Sequence, residues 1–142
     1  MGPLGRGALA GTIGTAVMTV AQTAEMRLTG RAASMVPGRV ASKLLRLEPK
    51  DGQALARTSL GMHWAHGVTQ GVVRASIGRL GLSGPTAAVA HFTLMWSSDA
   101  LLYKALDISP WPWRWSLEEL APDLGHKALY VAATSAAYER LG

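Results

Sequence analysis

All four histidines of this chain, together with Glu25, Arg74 and Asp99, lie inside or at the edge of four long apolar stretches. An ionisable group that a fold buries must be paired, hydrogen-bonded or functional, because desolvating a charge is costly. If the stretches are membrane-spanning helices, each such group is a candidate functional site. If they are core helices of a soluble bundle, the same groups are polar residues satisfied by neighbours. The first reading is the expectation.

The first stretch, Gly7 to Ala24, carries no charge and with its flank reaches Leu28, long enough for a span. Gly7, Gly11 and Thr15 recur at small-xxx-small spacing, which lets helices approach closely. A cleaved signal peptide competes, since Arg6 precedes an apolar run, but the pattern near Thr19-Val20-Ala21 is a poor cleavage site. The second helix is expected from Gln53 to Leu80, with Gly67 and Gly71 forming a GxxxG pair. The third runs from Pro85, a first-turn residue, to Leu106, its uncharged core interrupted only by Asp99. The fourth, Pro122 to Leu141, is the least apolar and is expected to span by snorkelling Lys127 and Arg140 to opposite surfaces.

Between the first two helices, Pro37 to Pro49 reads as a short basic amphipathic helix. Val40, Leu44 and Leu47 share one face and Arg39, Lys43 and Arg46 the adjacent one. Such a helix lies on an anionic leaflet or packs on a soluble core. Between the third and fourth helices, Trp111, Trp113 and Trp115 form a stiff aromatic segment of the kind found at membrane interfaces. In a soluble protein the same tryptophans form a core corner or a binding surface. The fold expected is therefore all-α: a four-helix polytopic membrane bundle in a single domain over residues 1–142, with a short amphipathic interfacial helix between helices one and two. A faint repeat accompanies it, since the second and fourth helices both end in Arg-Leu-Gly, at Arg79 and Arg140. Chance similarity between alanine-rich helices explains this as readily as duplication does.

Charged residues are only 16% of the chain, against roughly 25% in ordinary soluble domains. The net charge of +5 is concentrated. Of the 14 basic residues, Arg27, Arg31, Arg39, Lys43, Arg46, Lys50 and Arg57 all fall between the first and second stretches. Lys104, Arg114 and Lys127 share their side of a four-span topology, leaving Arg6, Arg74, Arg79 and Arg140 on the other. The positive-inside rule then places the basic loop 27–57 in the cytoplasm and both termini outside. No nucleic-acid-binding module accompanies the charge, so no nucleic-acid partner is expected. There are no cysteines, which excludes disulfides and thiolate chemistry.

A helical rise of about 1.5 Å per residue converts positions into depths. From the basic side, Gln22 lies about 9 Å in, His63 about 12 Å, His66 about 16 Å and Asp99 about 12 Å, with Glu25 and His126 within roughly 5 Å of that surface. These six residues form an expected polar cluster. Arg74 and His91 form a second polar pair toward the opposite face, with Arg74 read as a snorkelling residue rather than a substrate clamp. His63 and His66 share a helix face, and with Asp99 they are the candidate ligands for a divalent metal. Haem ligation by His66 with His91 or His126, and proton exchange between Asp99 and His63 or His66, are further cofactor and relay readings. Ser97 and Ser98 make no recognisable nucleophile arrangement with a histidine and an acid.

The opening Gly7-Ala8-Leu9-Ala10-Gly11-Thr12-Ile13-Gly14-Thr15, His66-Gly67 with Gly71, Trp96, the Pro110-Trp111-Pro112-Trp113 segment and the closing His126 to Tyr130 resemble the YagU-like small bacterial inner-membrane proteins. That resemblance implies an inner-membrane helical protein and adds little chemistry. The function expected is a non-enzymatic structural or accessory membrane component. Its partners would be the lipid bilayer and either copies of itself or a larger membrane complex. The alternatives are a membrane-embedded haem, metal or proton-relay site on His63, His66 and Asp99, and a soluble all-α protein that binds a hydrophobic ligand.

Overall fold

Each helix begins where the sequence supplies a start signal. In the computed structural model, which describes residues 1–142, the chain forms only helices. These are α1 (Pro3–Thr29), α2 (Val36–Leu45), α3 (Gly52–Arg79), α4 (Gly84–Ala105), a 3-10 turn at Pro112–Arg114, and α5 (Leu117–Arg140). Proline stands in the first turn of α1, α2 and α4, where its missing N–H costs nothing. The Asp51 carboxylate caps α3 by accepting from the Ala54 N–H at 2.8 Å. Gly30 ends α1 in the left-handed conformation, at φ 72°.

Two boundaries differ from expectation. The amphipathic helix stops at Leu45 rather than reaching Pro49, because Arg46 turns left-handed (φ 53°) and its N–H returns to the Ser42 carbonyl. Pro49 removes the helical option for Glu48 just beyond. The last helix starts at Leu117, not Pro122. Ser116 and Glu119 form a reciprocal capping box, which satisfies two otherwise free N–H groups. Pro122 then sits inside the helix and forfeits one hydrogen bond, to the carbonyl of the exposed Glu118.

The four long helices run up, down, up, down. α1 packs most extensively against α3 and α5, α4 closes the far side against α5 and α3, and α2 lies on α3. The α1–α3 contact is made by glycine. A methyl group on Gly7 would stand 2.5 Å from the Gly71 carbonyl oxygen, and one on Gly11 would stand 2.5 Å from that of Gly67. The two GxxxG pairs face each other in antiparallel register, with Thr15 over Gly67. On the adjacent side of α1, Gly14 receives the Thr134 side chain and the Tyr130 carbonyl of α5. Because Gly67 has no side chain, its carbonyl is open to the Tyr130 hydroxyl, which donates to it at 2.5 Å.

The interior is small and polar. Its apolar part is Met18, Met95, Tyr130 and Val131, flanked by Ala88 and Phe92, with a second group of Ala10, Ala75 and Tyr138. The largest fully buried side chains include Arg74, His91, Thr15 and Thr134. Leu9, Ile13, Val17 and Val20 of α1 and Val89, Leu94 and Leu101 of α4 are exposed. Threonines along α1 satisfy their hydroxyls on the helix itself: Thr12, Thr15, Thr19 and Thr23 donate to the carbonyls four residues back.

No helix is long and apolar enough to cross a membrane. The expected apolar spans are therefore not met as such. The helices run to 27, 28, 22 and 24 residues, but threonine, glutamine, histidine and paired charges lower the hydropathy of each.

The glycine seam generates a paired prediction. Gly71→Ala should destabilise the bundle by about 2 kcal/mol or more, since the added methyl meets backbone that cannot move aside. Gly61→Ala, which meets open space on the same helix, should leave stability unchanged or raise it by up to about 1 kcal/mol. Equilibrium unfolding followed by far-ultraviolet circular dichroism distinguishes the two.

Candidate functional site: a polar interior in two layers

The first layer is built around Asp99, which α4 buries between α3 and α5. His66 Nε2 donates to Asp99 Oδ2 at 3.2 Å. Lys127 Nζ of α5 stands 3.1 Å from the same oxygen and 3.1 Å from Asp123 Oδ1 one turn earlier. Both are ion-pair contacts. Lys127 also faces the Tyr103 ring, 5.3 Å from its centroid. Asp123 is held in turn by Trp96 Nε1, which donates to Oδ2 at 2.9 Å. The layer thus places one lysine between two carboxylates, with a half-exposed imidazole at its edge.

Lys127 does not snorkel to a surface. A buried lysine turned toward the buried Asp99 and the partly exposed Asp123 gains more from them than from water it reaches only by stretching past its own helix. Removing it would leave two carboxylates without a cation.

His63 points elsewhere. Its Nε2 lies 2.9 Å from Thr19 Oγ1, and the Thr19 hydroxyl proton is already given to the Thr15 carbonyl. His63 Nε2 is therefore the donor. His63 and His66 thus turn to different helices, and no group of three or more His, Cys, Asp or Glu side chains is placed to hold a metal ion. The set His63, His66 and Asp99 is not assembled as a ligand triad. Gln22 is half-buried on α1, and no hydrogen bond joins it to the Asp99 layer. His126 is also half-buried, within electrostatic reach of Glu25 and Asp123.

Glu25 serves the end of α1. Its carboxylate takes Arg31 Nη2 at 2.7 Å and Nε at 3.0 Å, a two-pronged clamp across the Gly30 turn. The Thr29 hydroxyl joins at 3.3 Å. The Arg31 hydrogen bond holds the Glu25 carboxyl below the ordinary carboxylate range, and Arg31 is held upward in return.

The second layer lies at the other end. Arg74 is 1% exposed. Its Nε donates to Ser135 Oγ at 3.0 Å and its Nη2 to Glu139 Oε1 at 3.0 Å. Glu139 Oε1 also accepts the Gly84 N–H at 2.8 Å, tying the start of α4 to the end of α5. The Tyr138 ring is faced by two guanidinium groups, Arg6 at 4.0 Å and Arg74 at 4.9 Å. The expectation that Arg74 snorkels is corrected: its side chain is folded inward because α5 offers it a hydroxyl, a carboxylate and an aromatic face. His91 is fully buried against the Tyr130 ring, at 6.0 Å between centroids, and its two ring nitrogens have no hydrogen-bond partner. It shares a region with Arg74 without bonding to it.

Trp111 and Trp113 stack at 5.1 Å, with Trp113 75% exposed. Trp115 turns inward, edge-on to Trp96 at 6.2 Å, and donates to the Pro110 carbonyl at 2.8 Å. The aromatic segment therefore splits into an exposed pair and an inward anchor.

Lys127, Asp123, Tyr103, Ser135, Tyr138 and Glu139 are the members that sequence reasoning did not place in the site. Asp123 and Lys127 at i, i+4 were a readable ion-pair signal.

Two surface hollows accompany these layers. One lies between α2 and the start of α3, at Arg39, Ser42, Lys43, Asp51 and Gly52. The other is an apolar groove between α1 and α5, at Ile13, Val17, Ala133 and Ala137. Neither reaches Asp99.

Two outcomes follow. Lys127→Met should cost about 3 kcal/mol, since it strands the buried Asp99 carboxylate and the partly exposed Asp123 one, and adding Asp99→Asn should recover part of that loss, a coupling of about 1 kcal/mol or more in a double-mutant cycle. The Glu25–Arg31 clamp contributes fully above the unfolded carboxyl pKa and is lost as pH falls through the depressed folded value. Protection of the Gly30 and Arg31 amides, taken relative to the intrinsic exchange rate at each pH, should therefore fall at acid pH in the native chain and be low at all pH in Glu25→Gln. No family model, no curated protein and no solved structure matches this chain.

Proposed function

We propose that the chain is a small membrane-embedded helical protein, non-enzymatic, acting as a structural or accessory component, with its polar layers turned inward and its apolar faces toward lipid or a neighbouring subunit. One observation carries this reading. The bundle buries Arg74, His91, Asp99 and Lys127 while exposing Leu9, Ile13, Val17, Val20, Val89, Leu94 and Leu101, the reverse of the distribution that water selects. Part of the low hydropathy of the helices comes from Arg74, His91, Asp99 and Lys127, which the bundle hides. A helix scored alone counts Asp99 and Lys127 as charges offered to lipid; in the bundle they are offered to each other.

The glycine seam supports the same environment, since small-residue contacts join helices where apolar side chains gain nothing by leaving lipid. The resemblance to YagU-like inner-membrane proteins points the same way, as does the basic end, which the positive-inside rule would put in the cytoplasm. Partners of this kind would meet the α1 and α4 faces, in the bilayer or in an oligomer.

A second reading rests on one contact. His66 is 31% exposed and donates to the buried Asp99, so the imidazole is a route by which a proton could pass between the surface and the carboxylate. Its test is proton uptake by vesicles holding the unaltered chain and Asp99→Asn; equal uptake removes it.

The leading reading is tested by extraction. The expressed protein should stay with membranes through carbonate and urea washes, and release into the aqueous fraction would overturn it. Leu94→Asp sharpens the test. On a lipid-facing surface it should cut membrane insertion by about 3 kcal/mol, whereas on a water-facing one it would be close to neutral.

A further inference from the structure

We propose that the basic end of the bundle holds a recognition site for the phosphate of an anionic phospholipid, in the hollow between α2 and the first turn of α3. This rests on the membrane reading above and specifies the lipid class that the protein selects.

The hollow is lined by two cations one turn apart on α2, Arg39 and Lys43, with Ser42 between them. The Ser42 hydroxyl is buried and has no hydrogen-bond partner, so it is free to donate to an incoming oxygen. The one acid present, Asp51, keeps its charge, with one carboxylate oxygen accepting from the Ala54 N–H. By capping there it leaves the earliest N–H groups of α3, at Gly52 and Gln53, without helical partners. Two positive side chains, the Ser42 hydroxyl and open backbone donors outweigh the single Asp51 carboxylate, so the hollow keeps a net positive charge and a donor set for a phosphate.

The rim identifies the source of the phosphate. Leu44, Leu45 and Leu47 are exposed beside these cations at the end of α2. Lys43 Nζ also donates to the Leu106 carbonyl at the end of α4, which brings the basic helix to the same end as the exposed Trp111–Trp113 stack. A dissolved phosphate or a nucleic acid has no use for three leucines beside its site and two exposed tryptophans at the same end of the bundle. A phospholipid has, because cations meet its headgroup while leucine and tryptophan enter the adjoining acyl boundary. Gly38, seated on Leu55 and Ser59 of α3, holds α2 flat enough to present both sets at once.

The test uses the full chain reconstituted into vesicles of phosphatidylcholine with a minor fraction of phosphatidylglycerol, then released in mild detergent and weighed intact by native mass spectrometry. The unaltered protein should retain phosphatidylglycerol over phosphatidylcholine by about tenfold after correction for composition. Arg39→Gln with Lys43→Gln should bring that ratio near one with helicity unchanged, since both side chains are exposed, and Arg140→Gln at the opposite end should keep it. Equal retention of the two lipids, or a preference that survives the double variant, overturns the site. Displacement of phosphatidylglycerol by millimolar inorganic phosphate would assign the hollow to the free anion and overturn the lipid assignment. A protein that embeds in pure phosphatidylcholine without headgroup preference defeats this inference alone, whereas one found in the aqueous phase with either vesicle defeats the membrane reading itself.

Discussion

The close approach of α1 to α3 sets the terms for the rest of the bundle. With Gly7 and Gly11 against Gly67 and Gly71, the two backbones touch, and no large apolar side chain fits between them. The contact therefore stabilises through many short van der Waals contacts rather than through burial of leucine. It also uncovers backbone. The Gly67 carbonyl is reached by Tyr130 only because nothing covers it, and that bond brings α5 onto the seam. Once three helices are drawn this close, bulky aliphatic residues are pushed to the outside, and the inner space is left to Thr15, Thr134, Tyr130 and the ionisable groups.

Charges admitted to such an interior persist only in compensated sets. Around Asp99 one lysine answers two carboxylates, and His66 and Trp96 supply further donors. At the other end Glu139 answers Arg74, while Tyr138 gives its face to Arg74 and Arg6. Both sets cross between helices, so each serves as a register key: sliding α5 by one turn would part Lys127 from Asp99 and Arg74 from Glu139 together. The lysine and arginine that give the chain part of its basic character thus contribute to the specificity of the fold rather than to its surface.

Much of this was legible in the sequence, and the failures over which charges meet between helices share one cause. Depth along a helix is readable from residue number, and the two groups of polar residues do lie toward opposite ends of the bundle. Direction around the helix is not. His63 and His66, three residues apart, differ by about 60° in azimuth, and that is enough to send one to Thr19 of α1 and the other to Asp99 of α4. Lys127 and Arg74 read as snorkelling residues because their lengths permit it; whether they turn outward depends on what the neighbouring helix offers. Glu25 read as part of the cluster by depth, yet Arg31 claims it across the Gly30 turn. The early start of α5 was readable, since Ser116 and Glu119 are a capping box by spacing alone.

By itself the sequence determined the helices, the small-residue faces and the split of polar groups between two ends, because these follow from local propensity, capping and linear spacing. Only the tertiary structure decided which charges meet, and that Arg74, Asp99 and Lys127 face in while Leu9, Ile13, Val17, Val89, Leu94 and Leu101 face out. Both depend on how close α1 comes to α3, a distance set by glycines that are more than fifty positions apart along the chain and that act only once they touch.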